Sequence, residues 1–129
     1  MLTPPTRPED INAAFEEAFN ARRIDDLLSL YESDAVLRLE ASGSDIVGHL
    51  AIAAALQKLM QAPDSLYTRN CYCVRHGDLA LIEAEWELRD TGGHVTARGR
   101  AAEVAHRQPD GTWRYRIDQA NDGISDQGV

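Results

Sequence analysis

The chain has 129 residues and a formal net charge of -8, and Lys58 is its single lysine. That length suits one domain able to bury a core without disulfides or metal. The acidic balance and the lack of Lys/Arg runs exclude a nucleic-acid or anionic-membrane surface, because phosphates would be repelled. No apolar run reaches the roughly 18 residues that span a bilayer, and MLTPPTRPED lacks the charged and apolar regions of a signal peptide, so the expectation is a soluble cytoplasmic protein.

Residues 1–7 read as a flexible start, 8–122 as the domain and 123–129 as a flexible polar tail. Thr6-Arg7-Pro8-Glu9 has the pattern of a capping box. In the helix after it, Ile11, Ala14, Phe15, Ala18 and Phe19 repeat at helical spacing and form one apolar stripe. Asp25 or Asp26 opens a second short helix whose apolar side is Leu27, Leu28, Leu30 and Tyr31, with Ser33-Asp34 as its stop. From Ala35 the period becomes that of a strand, with Ala35, Leu37 and Leu39 on one face and Glu40 at its end, followed by the loop Ala41-Ser42-Gly43-Ser44. A third helix spans about Gly48 to Gln61, with Ile52, Ala55, Leu56, Leu59 and Met60 as its stripe.

The second half reads as four strands joined by turns: Ser65 to Arg75, Leu79 to Arg89, Val95 to His106 and Trp113 to Asn121. In the second of these, Ala80, Ile82, Ala84, Trp86 and Leu88 share one face, and Glu83, Glu85, Glu87 and Arg89 share the other. Small alanines beside one indole leave room above the sheet, which suits a concave wall with a cavity. Cys71 and Cys73 fall in a strand, where closing so small a ring would be strained, and read as reduced thiols. None of His49, His76, His94 and His106 stands at a recognised metal-ligand spacing, so no metal is expected. The order of elements implies an α+β fold, with three N-terminal helices packed on one face of a strongly curved, mainly antiparallel sheet.

The run FNARRIDDLLSLYESDAVLRL, the Val47-Gly48 helix start and HRQPDGTWRYRID resemble the cone-shaped superfamily that includes ketosteroid isomerase, SnoaL-like polyketide cyclases and nuclear transport factor 2. The resemblance covers about residues 8–122 and implies a cone-shaped, barrel-like fold. It leaves function open, since that superfamily hosts isomerases, cyclases, epoxide hydrolases, dehydratases and binding domains. Matched to ketosteroid isomerase, the donor tyrosine falls on Phe15, the basic aspartate on Leu39 and the protonated aspartate on Arg100, while a supporting tyrosine is matched by Tyr31 and another falls on Leu56. An arginine cannot serve as a neutral acid, so steroid isomerisation by those residues is not expected. Glu40, next to Leu39, is the substitute if the register slips by one. Matched to SnoaL-like cyclases, the acid/base aspartate falls on Asp118, and by likeness to the epoxide hydrolases Arg98 or Arg100 supplies an arginine.

Counted from the turn at Pro109-Asp110-Gly111, Ala102 is opposite Asp118 and Arg100 is its diagonal neighbour. Two readings remain open. Arg100 and Asp118 form an acid/base pair in a cavity lined by Phe15, Phe19, Tyr31, Leu39, Glu40, Leu56, Trp86 and Arg98, or the arginines and Asp118 form an ion-pair ladder on the outer face. Three functions follow as expectations: cofactor-free acid/base chemistry on a small, mostly apolar molecule, ligand binding without turnover, or association into a homodimer through the open sheet face.

Overall fold

The computed structural model describes residues 2–40 and 43–120. Elements follow in the order α1 (Ile11–Asn20), α2 (Ile24–Leu28), β1 (Tyr31–Arg38), β2 (Ile46–Val47), α3 (His49–Leu59), β3 (Ser65–His76), β4 (Leu79–Arg89), β5 (Val95–Arg107) and β6 (Trp113–Ala120). The six strands form one sheet in the order β2-β1-β6-β5-β4-β3. All pairings are antiparallel except β1 with β6, which is parallel. The architecture is the expected α+β, with the sheet open at β2 and β3 rather than closed as a barrel.

Pro8–Asp10 forms a 3-10 turn before α1, and its N-cap is Arg7 with no side-chain hydrogen bond, so the Thr6 capping box does not form. Ahead of it, Leu2 is buried and the Pro5 carbonyl accepts a hydrogen bond from Trp113 N at 2.9 Å. Ile11, Ala14, Ala18 and Phe19 bury the stripe of α1 as its spacing requires. The second helix ends at Leu28, and Tyr31 begins β1 instead of closing that helix. Leu27 and Leu30 still reach the core, Leu27 from the helix as expected and Leu30 from just beyond its end. At the start of α3, Gly48 has φ 87, a conformation that lacks a penalty only without Cβ. The β3–β4 turn uses Gly77 at φ 59 in the same way.

The strand Leu79–Arg89 has the expected bounds, and Ala80, Ile82 and Ala84 are buried on its inner face. The core lies between this face and the helices and includes Ile11, Leu27, Tyr31, Leu37, Ile52, Leu56, Ile82, Trp113 and Tyr115. Trp113, which opens β6 after the turn at Pro109-Asp110-Gly111, is a core residue with 1% exposure.

Two β-bulges aim side chains into this interior. On β6 the register runs Ala105↔Tyr115 and then Val104↔Ile117, leaving Arg116 as the extra residue. Tyr115 and Asp118 are three apart and would face opposite ways on a regular strand. The bulge resets the alternation, and both are buried inside. On β3, Asn70↔Ala84 is followed by Tyr72↔Glu83, so Cys71 is bulged out and exposed while Cys73 packs against the core. Both thiols are free.

Candidate functional site

Inside the curve of the sheet lies a cavity of about 370 Å³. Its apolar wall includes Phe15 and Phe19 of α1, Leu37 of β1, Leu56 and Leu59 of α3, and Trp86 and Leu88 of β4. Trp86 Nε1 is buried with no hydrogen-bond partner among the described residues. Leu39 and Glu40, just past β1, also line the cavity. Phe15, Phe19, Tyr31, Leu39, Glu40, Leu56 and Trp86 therefore all stand on the cavity wall, as does Asp118.

The arginines do not. Ala97, Gly99, Ala101, Glu103 and Ala105 occupy the inner face of β5, which turns Arg98 and Arg100 outward. They line an outer groove of about 390 Å³ with Tyr67, Arg69, Glu85 and Glu87. Arg100 is 54% exposed and pairs with Glu83 and Glu85 at 3.6 and 3.9 Å. The Arg100–Asp118 pair is thus absent, and Arg98 does not line the cavity. The register error has one cause: without the Arg116 bulge, Ala102 would oppose Asp118, but the bulge moves Glu103 into that place.

Glu103 is 3% exposed and Asp118 8%, and they are cross-strand partners at the polar end of the cavity. Tyr31 Oη donates to Asp118 Oδ2 at 2.5 Å, and Asn12 Nδ2 donates to Glu103 Oε1 at 2.9 Å. Asn12 also donates to Asn70 Oδ1 at 3.0 Å and accepts from Tyr115 Oη at 2.5 Å. One helix residue so ties β3, β5 and β6 together through a buried amide whose donors and acceptor are all used. The rings of Tyr31 and Tyr115 have centroids 5.0 Å apart, and Phe15 meets both edge-on at 6.4 and 6.2 Å.

Burial and the Asp118 charge push the Glu103 carboxyl up to about 8, against which the Asn12 hydrogen bond works only partly. Burial also raises Asp118 to about 6, with the Tyr31 hydroxyl opposing. Burial and the adjacent carboxylates raise both Tyr31 and Tyr115 above the usual phenol range, so both stay protonated donors. Two adjacent carboxyls titrate as a pair, and burial keeps a proton on this pair well above the usual carboxylate range. Because Asn12 donates to Oε1, a proton on Glu103 resides on Oε2. Such a pair supplies an acid and a base within one site.

Asn12, Glu103 and Tyr115 were not read from the sequence as site residues. A single acid among small residues of one parity, Ala97-x-Gly99-x-Ala101-x-Glu103-x-Ala105, is the signal that marks Glu103. His106 lies 2.8 Å from Glu32 Oε2 through Nδ1 on the outer face, where Arg116 Nε donates to Glu32 Oε1 at 2.9 Å. Burial works against ionisation of Glu32, but hydrogen bonds from Arg116, Gln108 and His106 lower it to about 2. Among the described residues, no three His, Cys, Asp or Glu side chains are grouped to hold a metal, and no helix is long and apolar enough to cross a membrane.

Residues 11–122 match the model of the SnoaL-like domain. No curated protein matches the sequence. Solved structures share the fold. A ketosteroid isomerase-like protein from Erwinia carotovora atroseptica is 19% identical, with a TM-score of 0.74 over 88% of this chain and 92% of that one. A putative calcium/calmodulin-dependent protein kinase type II association domain from Thiobacillus denitrificans is 22% identical, with a TM-score of 0.76 over 95% and 97%. An NTF2-like protein with a cystatin-like fold from Novosphingobium aromaticivorans is 17% identical, with a TM-score of 0.76 over 92% and 79%.

Proposed function

This chain belongs to the SnoaL-like domain family, and from that premise we propose that it binds a small, mostly apolar molecule in the cone cavity and acts on it by cofactor-free acid/base chemistry. The observation that carries the reading is the pair of buried carboxyls, Glu103 and Asp118, facing each other across β5 and β6 at one end of an otherwise apolar chamber. Burying two carboxyls costs stability. In this reading Asp118 takes a proton from the substrate and Glu103 Oε2 delivers one to an oxygen that gains charge. Tyr31 holds Asp118, and Asn12 holds Glu103. The apolar wall excludes water and selects shape.

A panel of small neutral ketones, esters and epoxides, observed by protein NMR and by product formation, tests this. Asp118→Asn and Glu103→Gln are each expected to lower turnover by at least about 10²-fold while ligand shifts remain centred on Trp86 and the cavity leucines. Unchanged turnover in both variants would remove the chemistry and leave a binding domain.

A second reading, that two copies associate through the outer sheet face, is favoured by one observation. The register aligns Val74, Leu81, Val104, Ile117, Val36 and Val47 in a single apolar row across all six strands. Val74, Leu81, Ile117 and Val47 are 58%, 44%, 45% and 56% exposed. A row of that kind suits a self-complementary face in a twofold dimer, and the likeness to an association domain supports it. Sedimentation should show a dimer that Leu81→Arg converts to a folded monomer. A wild-type chain that sediments as a monomer at high concentration rules the dimer out.

A further inference from the structure

Building on the cavity reading above, we propose that the molecule bound there carries a protonated amine on an apolar skeleton, received by Glu103 and Asp118 beside the rings of Tyr31, Tyr115 and Phe15. Carboxylates withdrawn from water are normally matched by cations, because the lost hydration must be replaced. Glu32, the carboxylate most withdrawn from water on the outer face, is matched in this way by Arg116 and His106. Among the described residues, the cavity wall has Glu40, Glu103 and Asp118 and no Lys, Arg or His.

The protein groups that touch the pair are neutral. Tyr31 occupies Asp118 Oδ2 and Asn12 occupies Glu103 Oε1, leaving Oδ1 and Oε2 without a protein donor among the described residues. Asp118 Oδ1 accepts from an ammonium directly, and a bound cation favours loss of the proton on Glu103 Oε2, after which the two oxygens on adjacent strands form a short acceptor row that its several N–H bonds can bridge. Three aromatic rings stand within 6.4 Å of one another, centroid to centroid, around the same end of the cavity. Their electron-rich faces add to the attraction for a cation. A carboxylate or phosphate would meet like charge with no guanidinium or ammonium to offset it. The remaining wall of Phe19, Leu37, Leu56, Leu59 and Leu88 fits a hydrocarbon body.

Three rigid probes of one skeleton separate charge from shape: 1-adamantanemethylamine, 1-adamantanemethanol and 1-adamantanecarboxylate, titrated into the full chain at pH 7.5 and followed by protein NMR. The amine is expected to bind at least about tenfold tighter than the alcohol, and the carboxylate not at all. In the Glu103→Gln/Asp118→Asn double variant the preference for amine over alcohol should vanish while the alcohol still binds. Equal or tighter binding of the alcohol by the wild-type chain overturns the amine assignment and leaves the apolar cavity reading intact. No shift of cavity residues with any of the three probes overturns both. The wild-type comparison stands alone if the double variant does not fold.

Discussion

The two faces of one sheet treat the same residue types in opposite ways. On the outer face, Glu83, Glu85 and Glu87 stand in water and each lies near an arginine, with Arg69 on Glu85, Arg100 on Glu83 and Glu85, and Arg89 on Glu87. On the inner face, Glu103 and Asp118 are buried beside each other, and the side chains that hydrogen-bond to them, Asn12 and Tyr31, are neutral. Outer carboxylates need little from the fold, because solvent stabilises their charge. The inner pair depends on it, and so their titration and hydrogen bonding report on the site. Charge in this protein is therefore informative only together with the side of the strand it occupies.

The most direct way to break this contrast is to move one charge across the strand. Ala105→Arg places a guanidinium at a fully buried position and should cost more than about 4 kcal/mol. Ala102→Arg, three residues away on the exposed side, should change stability by less than about 0.5 kcal/mol in urea denaturation. Similar losses at both positions would erase the distinction between the faces.

The acids sharpen the contrast through pH. Folded Glu103 and Asp118 hold protons up to about 8 and about 6, whereas their ordinary values are 4.5 and 3.8. The folded chain then binds more protons than the unfolded chain across this window. Their contribution to stability is complete below pH 3.8 and is lost as pH rises through 6 and 8. Glu32 has the opposite sign: lowered to about 2, it adds stability above 4.5 that is lost as pH falls. Glu103→Gln should flatten the decline toward pH 8 by on the order of 1–3 kcal/mol in pH-dependent urea denaturation. An unchanged slope would mean that Glu103 ionises as an ordinary carboxyl.

A smaller effect is expected from Tyr31→Phe, which removes the only hydroxyl donating to Asp118 Oδ2 among the described residues. It should cost about 1–2 kcal/mol and raise the Asp118 pKa further, read from its carboxyl carbon shift. On the outside, Arg100→Ala should cost less than about 1 kcal/mol, and less still in high salt. A larger loss there would mean that the outer ion pairs are shielded from solvent, as in a dimer.

The sequence was legible where periodicity and punctuation agree. Leu79–Arg89 alternates cleanly between two turns, and its inner and outer faces follow at once. Tyr31 misleads because Leu27, Leu28, Leu30 and Tyr31 match a helical stripe, whereas the helix closes at Leu28 and the tyrosine is needed in the sheet. β2 has two residues and leaves no pattern to read. Asp118 is singled out because strand position and resemblance both point to it. Its partner was missed because a single extra residue, Arg116, shifts the pairing by one and replaces Ala102 with Glu103. Bulges are local choices of backbone that composition does not announce.

The one parallel pairing, β1 beside β6, has a consequence for how the molecule is made. Tyr31 and Asp118 meet across 87 positions of chain, so the chamber's polar end exists only after the last strand has docked on the first. Contacts of such long range are entropically late and slow a fold's formation. During synthesis the early helices and β1 must wait with one edge unpaired until β6 emerges, and any selection for rapid, clean folding acts on that delay.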